Sequence, residues 1–104
     1  MDYKVVLTSD AEADLDNFVR YLLFVKRSKQ AARNLLDDFE ETKKDLSKVA
    51  LSLKLCDNPK LKAMGYRRIN FKSHCYFMLY RVEDNIVTVD NIFHELQDYE
   101  NKMI

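Results

Sequence analysis

Alternating apolar and polar residues in the C-terminal half of the chain are typical of β-strands. Three runs rich in aromatic and β-branched residues are separated by short polar turns, which predicts an antiparallel meander. The predicted strands are Tyr66 to Phe71, Cys75 to Val82 and Ile86 to Phe93. Because successive side chains alternate between the two faces of a strand, Ile69 and Phe71 should point to one face and Arg68 and Asn70 to the other.

The N-terminal half begins with a short apolar run and continues with helical periodicity. The run from Tyr3 to Leu7 predicts a first strand. Apolar residues then recur at spacings of three and four positions as far as about Val25, which predicts an amphipathic helix. Ser9 followed by Glu12 has the spacing of a capping box, so the helix is predicted to begin there.

Helical periodicity resumes after a polar corner at residues 26–29. The second stripe runs from Ala31 to about Leu53 or Leu55, and the segment ending in Pro59 stops it, because the residue before a proline disfavours helical backbone. The chain from His94 onward is predicted to be a short tail with room for one or two helical turns. The predicted order is β-α-α-β-β-β, an α+β fold with an N-terminal strand and a long antiparallel helical hairpin packed on one face of a small antiparallel β-sheet.

Length and composition are those of one small domain spanning residues 1–104. Hydrophobic residues make up 47% of the chain, which is enough for a core, and no apolar run is long enough to span a membrane. We expect a soluble, cytoplasmic protein. Cys56 and Cys75 have neither CxxC nor metal-ligand spacing, so both are expected to be buried thiols, and the sequence suggests no metal and no cofactor.

Positive charge is concentrated in one part of the chain, although the formal charges sum to zero. Six cationic residues occur between positions 60 and 81 without any Asp or Glu, namely Lys60, Lys62, Arg67, Arg68, Lys72 and Arg81. A cationic sheet face suits a phosphate backbone or an acidic protein segment. The alternative is that Lys and Arg on strand edges deter aggregation, and both interpretations stay open at this point.

The central predicted strand also places apolar residues on its polar face. The residues expected on the core face are Ile69, Phe71, Tyr76, Met78 and Tyr80. Phe77 and Leu79 alternate with them and must point the other way. We expect both side chains to be exposed in the isolated domain, which favours a surface that a partner covers.

The order and spacing of several short motifs give the chain a family resemblance. They are T-S-D-A-E-A-D-L after the first strand, D-N-P-K-L leading into G-Y-R-R-I, then Y-F-M-L-Y-R-V and N-I-F-H-E-L-Q-D-Y. In these features essentially the whole chain resembles the RelE/ParE superfamily of bacterial toxins. The resemblance implies a helical hairpin on a small antiparallel sheet. It also implies the toxin half of a type II toxin–antitoxin module, with a co-expressed antitoxin as partner and oligomers formed mainly through that antitoxin.

Two activities are known in this superfamily, and the resemblance leaves both open. RelE-like toxins cut messenger RNA on the ribosome, whereas ParE-like toxins inhibit DNA gyrase. Most of the RelE chemical set is absent: Arg68 falls where the family has a functional lysine, but Asn70 replaces a second lysine and Phe77 stands where RelE has an arginine. The sequence slightly favours the ParE-like activity, which is not enzymatic. A degenerate, non-toxic member is the third possibility.

The candidate site residues follow from these alternatives. If the chain is a ribonuclease, His94 near the end of the last strand could combine with Arg68, Arg81 and Tyr99 as an acid–base site, because histidine titrates near neutral pH. The alternative is that His94 is a structural residue at a strand end. The surface expected to hold an acidic, amphipathic antitoxin segment consists of Arg67, Arg68, Phe77, Leu79 and Arg81.

Overall fold

The computed structural model describes residues 3–73, 75–97 and 99, and its elements follow the predicted order. They are β1 (Lys4–Leu7), α1 (Ser9–Arg20), a π-helical turn (Tyr21–Val25), α2 (Lys29–Val49), α3 (Pro59–Ala63), β2 (Arg67–Asn70), β3 (Tyr76–Glu83) and β4 (Ile86–His94). The α+β class and the three predicted C-terminal strands are confirmed. His74 and the part of the predicted tail helix that falls on residues 98 and 100–104 lie outside the described residues.

The four strands form one sheet in the order β1-β4-β3-β2. The strands β2, β3 and β4 are antiparallel neighbours, as predicted, whereas β1 pairs parallel with β4 and makes the sheet mixed. The ladder between β3 and β4 is irregular, because Leu79 pairs with Asn91 while Tyr80 pairs with Val89. Asp90 is therefore the extra residue of a β-bulge, a feature that redirects side chains.

The main core lies between the helical hairpin and one face of the sheet. Its buried residues are Ala11, Leu35, Phe39, Leu46, Ala50, Phe71, Met78, Tyr80, Val87, Val89 and Ile92, with Ile69 and Tyr76 packed at the edge. The predicted core face of the meander is thus confirmed. At its centre the Tyr80 hydroxyl donates a hydrogen bond of 2.7 Å to the carbonyl of Ala50, which satisfies a buried polar group near the end of α2.

A second, smaller core covers the opposite face of the sheet, which the sequence analysis expected to be open. Its residues are Cys56, Leu61, Tyr66, Phe77, Leu79 and Phe93, with Tyr99 packed against them. Phe77 is 1% exposed and Leu79 is 0% exposed, so the prediction that both lie on the surface is wrong. The reason is that the connection between α2 and β2, including α3, folds back over this face.

The helix boundaries differ from the prediction in physically clear ways. Thr8 rather than Ser9 is the N-cap of α1, because the Ala11 amide donates to the Thr8 hydroxyl at 3.1 Å. The predicted capping box of Ser9 and Glu12 is therefore wrong. Helix α2 ends at Val49, earlier than predicted, because the following segment leaves the helix and places Leu55 in a β-bridge with Arg67.

The two cysteines differ in their exposure. Cys56 is buried, as predicted, but Cys75 is exposed next to the turn that precedes β3, so the prediction of a second buried thiol is wrong. None of the helices in the described part of the chain is long and apolar enough to cross a membrane.

Candidate functional site

The bulge residue Asp90 forms the centre of a polar cluster on the edge of the second core. Arg81 of β3 reaches its carboxylate with Nε at 2.9 Å and with a terminal guanidinium nitrogen at 3.4 Å. The Tyr66 hydroxyl donates to the same carboxylate, and the Arg81 guanidinium lies 5.3 Å from the centre of the Tyr66 ring. Asp90 is nearly buried, and these donors compensate the cost of removing its charge from water.

This arrangement fixes the protonation states of the cluster near neutral pH. Burial, reinforced by the hydrogen bond to Asp90, raises the pKa of Tyr66 to about 12, so its hydroxyl stays protonated. The hydrogen bond to Asp90 raises the pKa of Arg81, although burial opposes it, and the guanidinium stays charged. Neither group can accept a proton at neutral pH, and Arg81 is not the free cation that the sequence analysis expected.

Helix α1 supports the same region from the other side. Beyond the end of β1 it runs beside β4, where the Asp14 carboxylate accepts the Ile92 amide at 3.0 Å and the Asn91 side-chain amide at 3.1 Å. The Thr8 hydroxyl donates to the Asp90 carbonyl at 2.8 Å. Asp14 thus supplies the acceptor that a neighbouring strand would otherwise provide.

A cleft of about 680 Å³ opens between α1 and this edge of the sheet. Polar side chains dominate its wall, including those of Asp10, Asp14, Asn17, Arg81, Asp90 and Gln97. The described wall contains no His, Cys or Lys, so its titratable side chains are those of Asp10, Asp14, Tyr66, Arg81 and Asp90. Such a cleft can bind a polar group by hydrogen bonds.

Arg68 lies at a separate place on the second core. Its guanidinium carbon is 3.7 Å from the centre of the Phe77 ring and 5.7 Å from the centre of the Tyr99 ring, while its Nε donates to Asn70 at 2.9 Å. The cation therefore covers the buried aromatic residues. Arg68 and Tyr99 also line a cleft of about 560 Å³ beside β2, together with residues 53–57, Ile69 and Asn70.

His94 lies on the other face of the sheet. Its ring meets the Tyr76 ring edge to face at 5.1 Å, and Tyr76 belongs to the main core beneath the helices. The ring nitrogen Nδ1 accepts the Leu96 amide at 3.2 Å, and the His94 amide donates to the Gln97 side chain at 2.8 Å. These contacts favour the structural interpretation, in which His94 stabilises the turn after β4.

The candidate catalytic residues are thus only partly brought together. Arg68 and Tyr99 are neighbours, Arg81 is paired with Asp90, and His94 is on the opposite face of the sheet. The interaction of Asp90 with Arg81 was missed in the sequence analysis. The one signal for it is the Asp90-Asn91 pair, which interrupts the apolar alternation of β4.

The predicted cationic face is also dispersed. The Lys72 ammonium points toward α2, where it lies 3.5 Å from Glu41 and 3.6 Å from Asp45. The Arg67 guanidinium donates to the carbonyl of Leu53. The six cations therefore do not form one continuous surface, because folding places some of them beside carboxylates and carbonyls of distant segments.

The residues that could hold a metal ion are few. Among residues 3–73, 75–97 and 99, no group of three or more His, Cys, Asp or Glu side chains has an arrangement that could hold a metal. Two carboxylates of the larger cleft are instead engaged, that of Asp90 with Arg81 and that of Asp14 with amides of β4.

Comparison with known proteins gives one family and a common fold. The sequence model of the family described as ParE toxin of type II toxin–antitoxin system, parDE, matches residues 5–99. A solved structure of the chromosomal ParDE system from P. aeruginosa is similar, with a TM-score of 0.68, 21% identity, and coverage of 88% of this chain and 95% of that chain. The toxin–antitoxin complex RelBE2 from Mycobacterium tuberculosis is also similar, with a TM-score of 0.63, 23% identity, and coverage of 91% of this chain and 100% of that chain. At these identities the likeness concerns the fold alone, and no curated protein sequence matches the chain.

Proposed function

The chain belongs to the ParE toxin family of type II toxin–antitoxin systems, and from this premise we propose that it arrests growth by binding DNA gyrase rather than by cutting RNA. The family match covers residues 5–99 and so includes all of the sheet except the first residue of β1, together with both long helices. Inhibition by binding needs a complementary surface and does not need an assembled set of proton donors and acceptors.

The separation of the candidate acid–base residues is the observation that carries this proposal. Cutting RNA through its 2′-hydroxyl requires a proton acceptor, a proton donor and a cation around one phosphate, within hydrogen-bond reach of the reacting atoms. His94 packs on Tyr76 beneath the helices, whereas Arg68 packs on Phe77 on the other face. A single phosphate cannot contact both side chains in this arrangement.

One contact favours the second candidate function, a RelE-like ribosome-dependent ribonuclease. Arg68 and Tyr99 are adjacent at the rim of the cleft beside β2, and together they offer a cation and a phenol to a phosphate. In this alternative the remaining catalytic groups come from a rearrangement on the ribosome. The two functions therefore differ in whether Arg68 and Tyr99 are essential.

Pulse labelling after induced expression separates the two functions. We expect thymidine incorporation to fall first, with methionine incorporation following later. In the purified system, the chain should inhibit supercoiling of relaxed plasmid by gyrase and leave messenger RNA intact in a translation extract. Arg68→Ala, Tyr99→Phe and His94→Ala should each retain growth arrest if they fold.

The opposite pattern would overturn the proposal. Prompt loss of methionine incorporation, with cleaved messenger RNA and a loss of about 10² or more in cleavage rate for Arg68→Ala or Tyr99→Phe, would establish the ribonuclease. No effect on either synthesis, from protein that is folded by circular dichroism, would indicate a non-toxic member of the family. A control with Lys62→Ala, an exposed cation on α3, should behave as the parent protein in every assay.

We further propose an antitoxin partner, which the two toxin–antitoxin complexes among the similar structures support. Phe77 and Leu79 are buried by the chain itself, so the proposed contact now centres on Arg68 and the cleft beside β2. An acidic segment there would pair with Arg68 and cover the outer edge of β2. Arg68→Glu should weaken the complex with the antitoxin by tenfold or more, as about 1.4 kcal/mol would do, whereas Lys62→Glu should not.

A further inference from the structure

The tip of the helical hairpin combines exposed apolar side chains with an excess of positive charge. Phe24 is 73% exposed, Val25 65% and Tyr21 47%, although all three belong to the helical segment before the corner. Between Asp16 and Asp37 the sequence has five cations and no acid, and these are Arg20, Lys26, Arg27, Lys29 and Arg33. All five are exposed.

A π-helical turn accounts for the exposure of Val25. The Lys26 amide donates to the carbonyl of Tyr21 at 3.0 Å, five residues earlier, so this turn contains one residue more than an α-helical turn. In an α-helix Val25 would follow Leu22 on the buried face. The additional residue moves Val25 away from that face, while Leu22 keeps its contact with the main core. The prediction that the apolar face continues to about Val25 is therefore wrong at Val25, whereas it is confirmed at Leu22.

The same tip is positively charged over most of its surface. Arg20 alone has an ion-pair partner on its own helix, Asp16 at 3.0 Å, among the pairs formed by the described residues. Lys26 lies 5.8 Å from the centre of the Tyr21 ring, which brings charge directly beside the apolar side chains. The tip is therefore an apolar centre, Tyr21, Phe24 and Val25, flanked by cations.

We propose that the hairpin tip is a docking site for an acidic, amphipathic helix of a protein partner. Tyr21, Phe24 and Val25 belong to the same five-residue turn, and together they offer exposed apolar side chains to the apolar face of a partner helix. The flanking cations match carboxylates on both sides of an apolar seam. A phosphate backbone would satisfy the cations but leave the aliphatic side chain of Val25 in water. This site lies on the helices, apart from Arg68, and does not depend on which target the toxin acts on.

A binding measurement with a defined probe tests the proposal. The probe is a fluorescent helical peptide with Leu at spacings of three and four and Glu at the flanking positions, and its control is a scrambled peptide of the same composition. We expect the ordered peptide to bind at least about tenfold more tightly than the scrambled one in anisotropy titrations. Raising the salt concentration should weaken the complex without abolishing it, because apolar contact remains.

Matched variants assign the binding to the tip. Phe24→Ser with Val25→Ser should weaken peptide binding about tenfold or more, since both apolar anchors are lost. Lys26→Glu with Lys29→Glu should weaken it and reduce its salt dependence. Leu51→Ser, which changes an apolar residue that is 52% exposed elsewhere, and Lys62→Glu should leave it unchanged. Thermal unfolding of each variant shows whether it is folded.

Three results would overturn the proposal. One is equal binding of the ordered and scrambled peptides. Another is a loss of peptide affinity for Leu51→Ser that equals the loss for the Phe24→Ser and Val25→Ser variant. The third is tighter binding of phosphatidylglycerol vesicles or of a short DNA duplex than of the ordered peptide, since this would make the tip a membrane or nucleic-acid site. Growth arrest by the folded Phe24 and Val25 variant is measured separately, so the failure of either proposal leaves the other testable.

Discussion

Asp90 holds Arg81 by two contacts of 2.9 and 3.4 Å, and this pair joins the bulge of β4 to the middle of β3. The Asp90 side chain is only 11% exposed, whereas that of Arg81 is 49% exposed. The two partners are therefore unequal, because the carboxylate depends on the guanidinium more than the guanidinium depends on it. A cation that the sequence suggested for ligand binding has a structural role.

This inequality gives the first prediction. Arg81→Met keeps the aliphatic stem but leaves the Asp90 carboxylate short of a partner, and should lower the free energy of unfolding by about 1 to 3 kcal/mol. Adding Asp90→Asn to Arg81→Met should recover part of that loss, because the unpaired charge is gone. Urea unfolding measures both effects. A double variant that is no more stable than Arg81→Met alone would contradict this account.

Two phenylalanines provide a matched test of the second core. Phe77→Ala should lower the free energy of unfolding by about 3 to 5 kcal/mol, because it leaves a cavity among Leu79, Phe93 and Tyr99. Phe24→Ala should change the free energy of unfolding by less than about 0.5 kcal/mol. The exposed fractions of the two rings, 1% and 73%, are the basis of the contrast. Thermal or urea unfolding of both variants is the measurement. Similar small losses for both would show that the second core contributes little.

The helix cap can be tested with adjacent hydroxyls. Thr8→Ala removes the acceptor for the Ala11 amide and the donor to the Asp90 carbonyl. It should therefore lower the free energy of unfolding by about 1 to 2 kcal/mol. Ser9→Ala should change the unfolding free energy by less than about 0.5 kcal/mol, since Ser9 is an exposed residue inside the helix. The reverse order of the two effects would restore the capping box predicted from the sequence.

Alkaline pH should destabilise the fold through two tyrosines. Burial raises the pKa of Tyr80 to about 12, and burial with the bond to Asp90 raises that of Tyr66 to about 12, from an ordinary value of 10.0. Above pH 10 the unfolded chain loses these protons while the folded chain keeps them, so the unfolded state binds fewer protons and stability falls as pH rises. The effect is absent below pH 10 and is complete only above about pH 12.

Phenylalanine variants separate this ionisation from other alkaline effects. Tyr80→Phe should cost about 1 kcal/mol near neutral pH, because the Ala50 carbonyl loses its donor. Between pH 10 and 12 the same variant should lose stability less steeply than the parent protein. Denaturant midpoints across this pH range provide the measurement, and parallel curves for the two proteins would contradict the assignment to Tyr80.

Local patterns in the sequence determined the elements and their order. The alternation in Tyr76–Glu83 and the helical stripe of α2 are properties of neighbouring residues, so the strand and the helix could be predicted without the rest of the chain. The core face of the meander followed from the same alternation. The family resemblance is also confirmed, because it depends on motifs that are read along the chain.

Contacts between distant segments determined which side chains are buried and which charges are paired. Phe77 is buried because the connection after α2 folds over it. Arg81 is paired, although still charged, because a bulge directs Asp90 toward it. The extended backbone at Phe77 and Arg81 is the same whether their side chains meet solvent, a partner or their own chain. Alternation fixes the face on which a side chain lies, but only tertiary structure decides what covers that face.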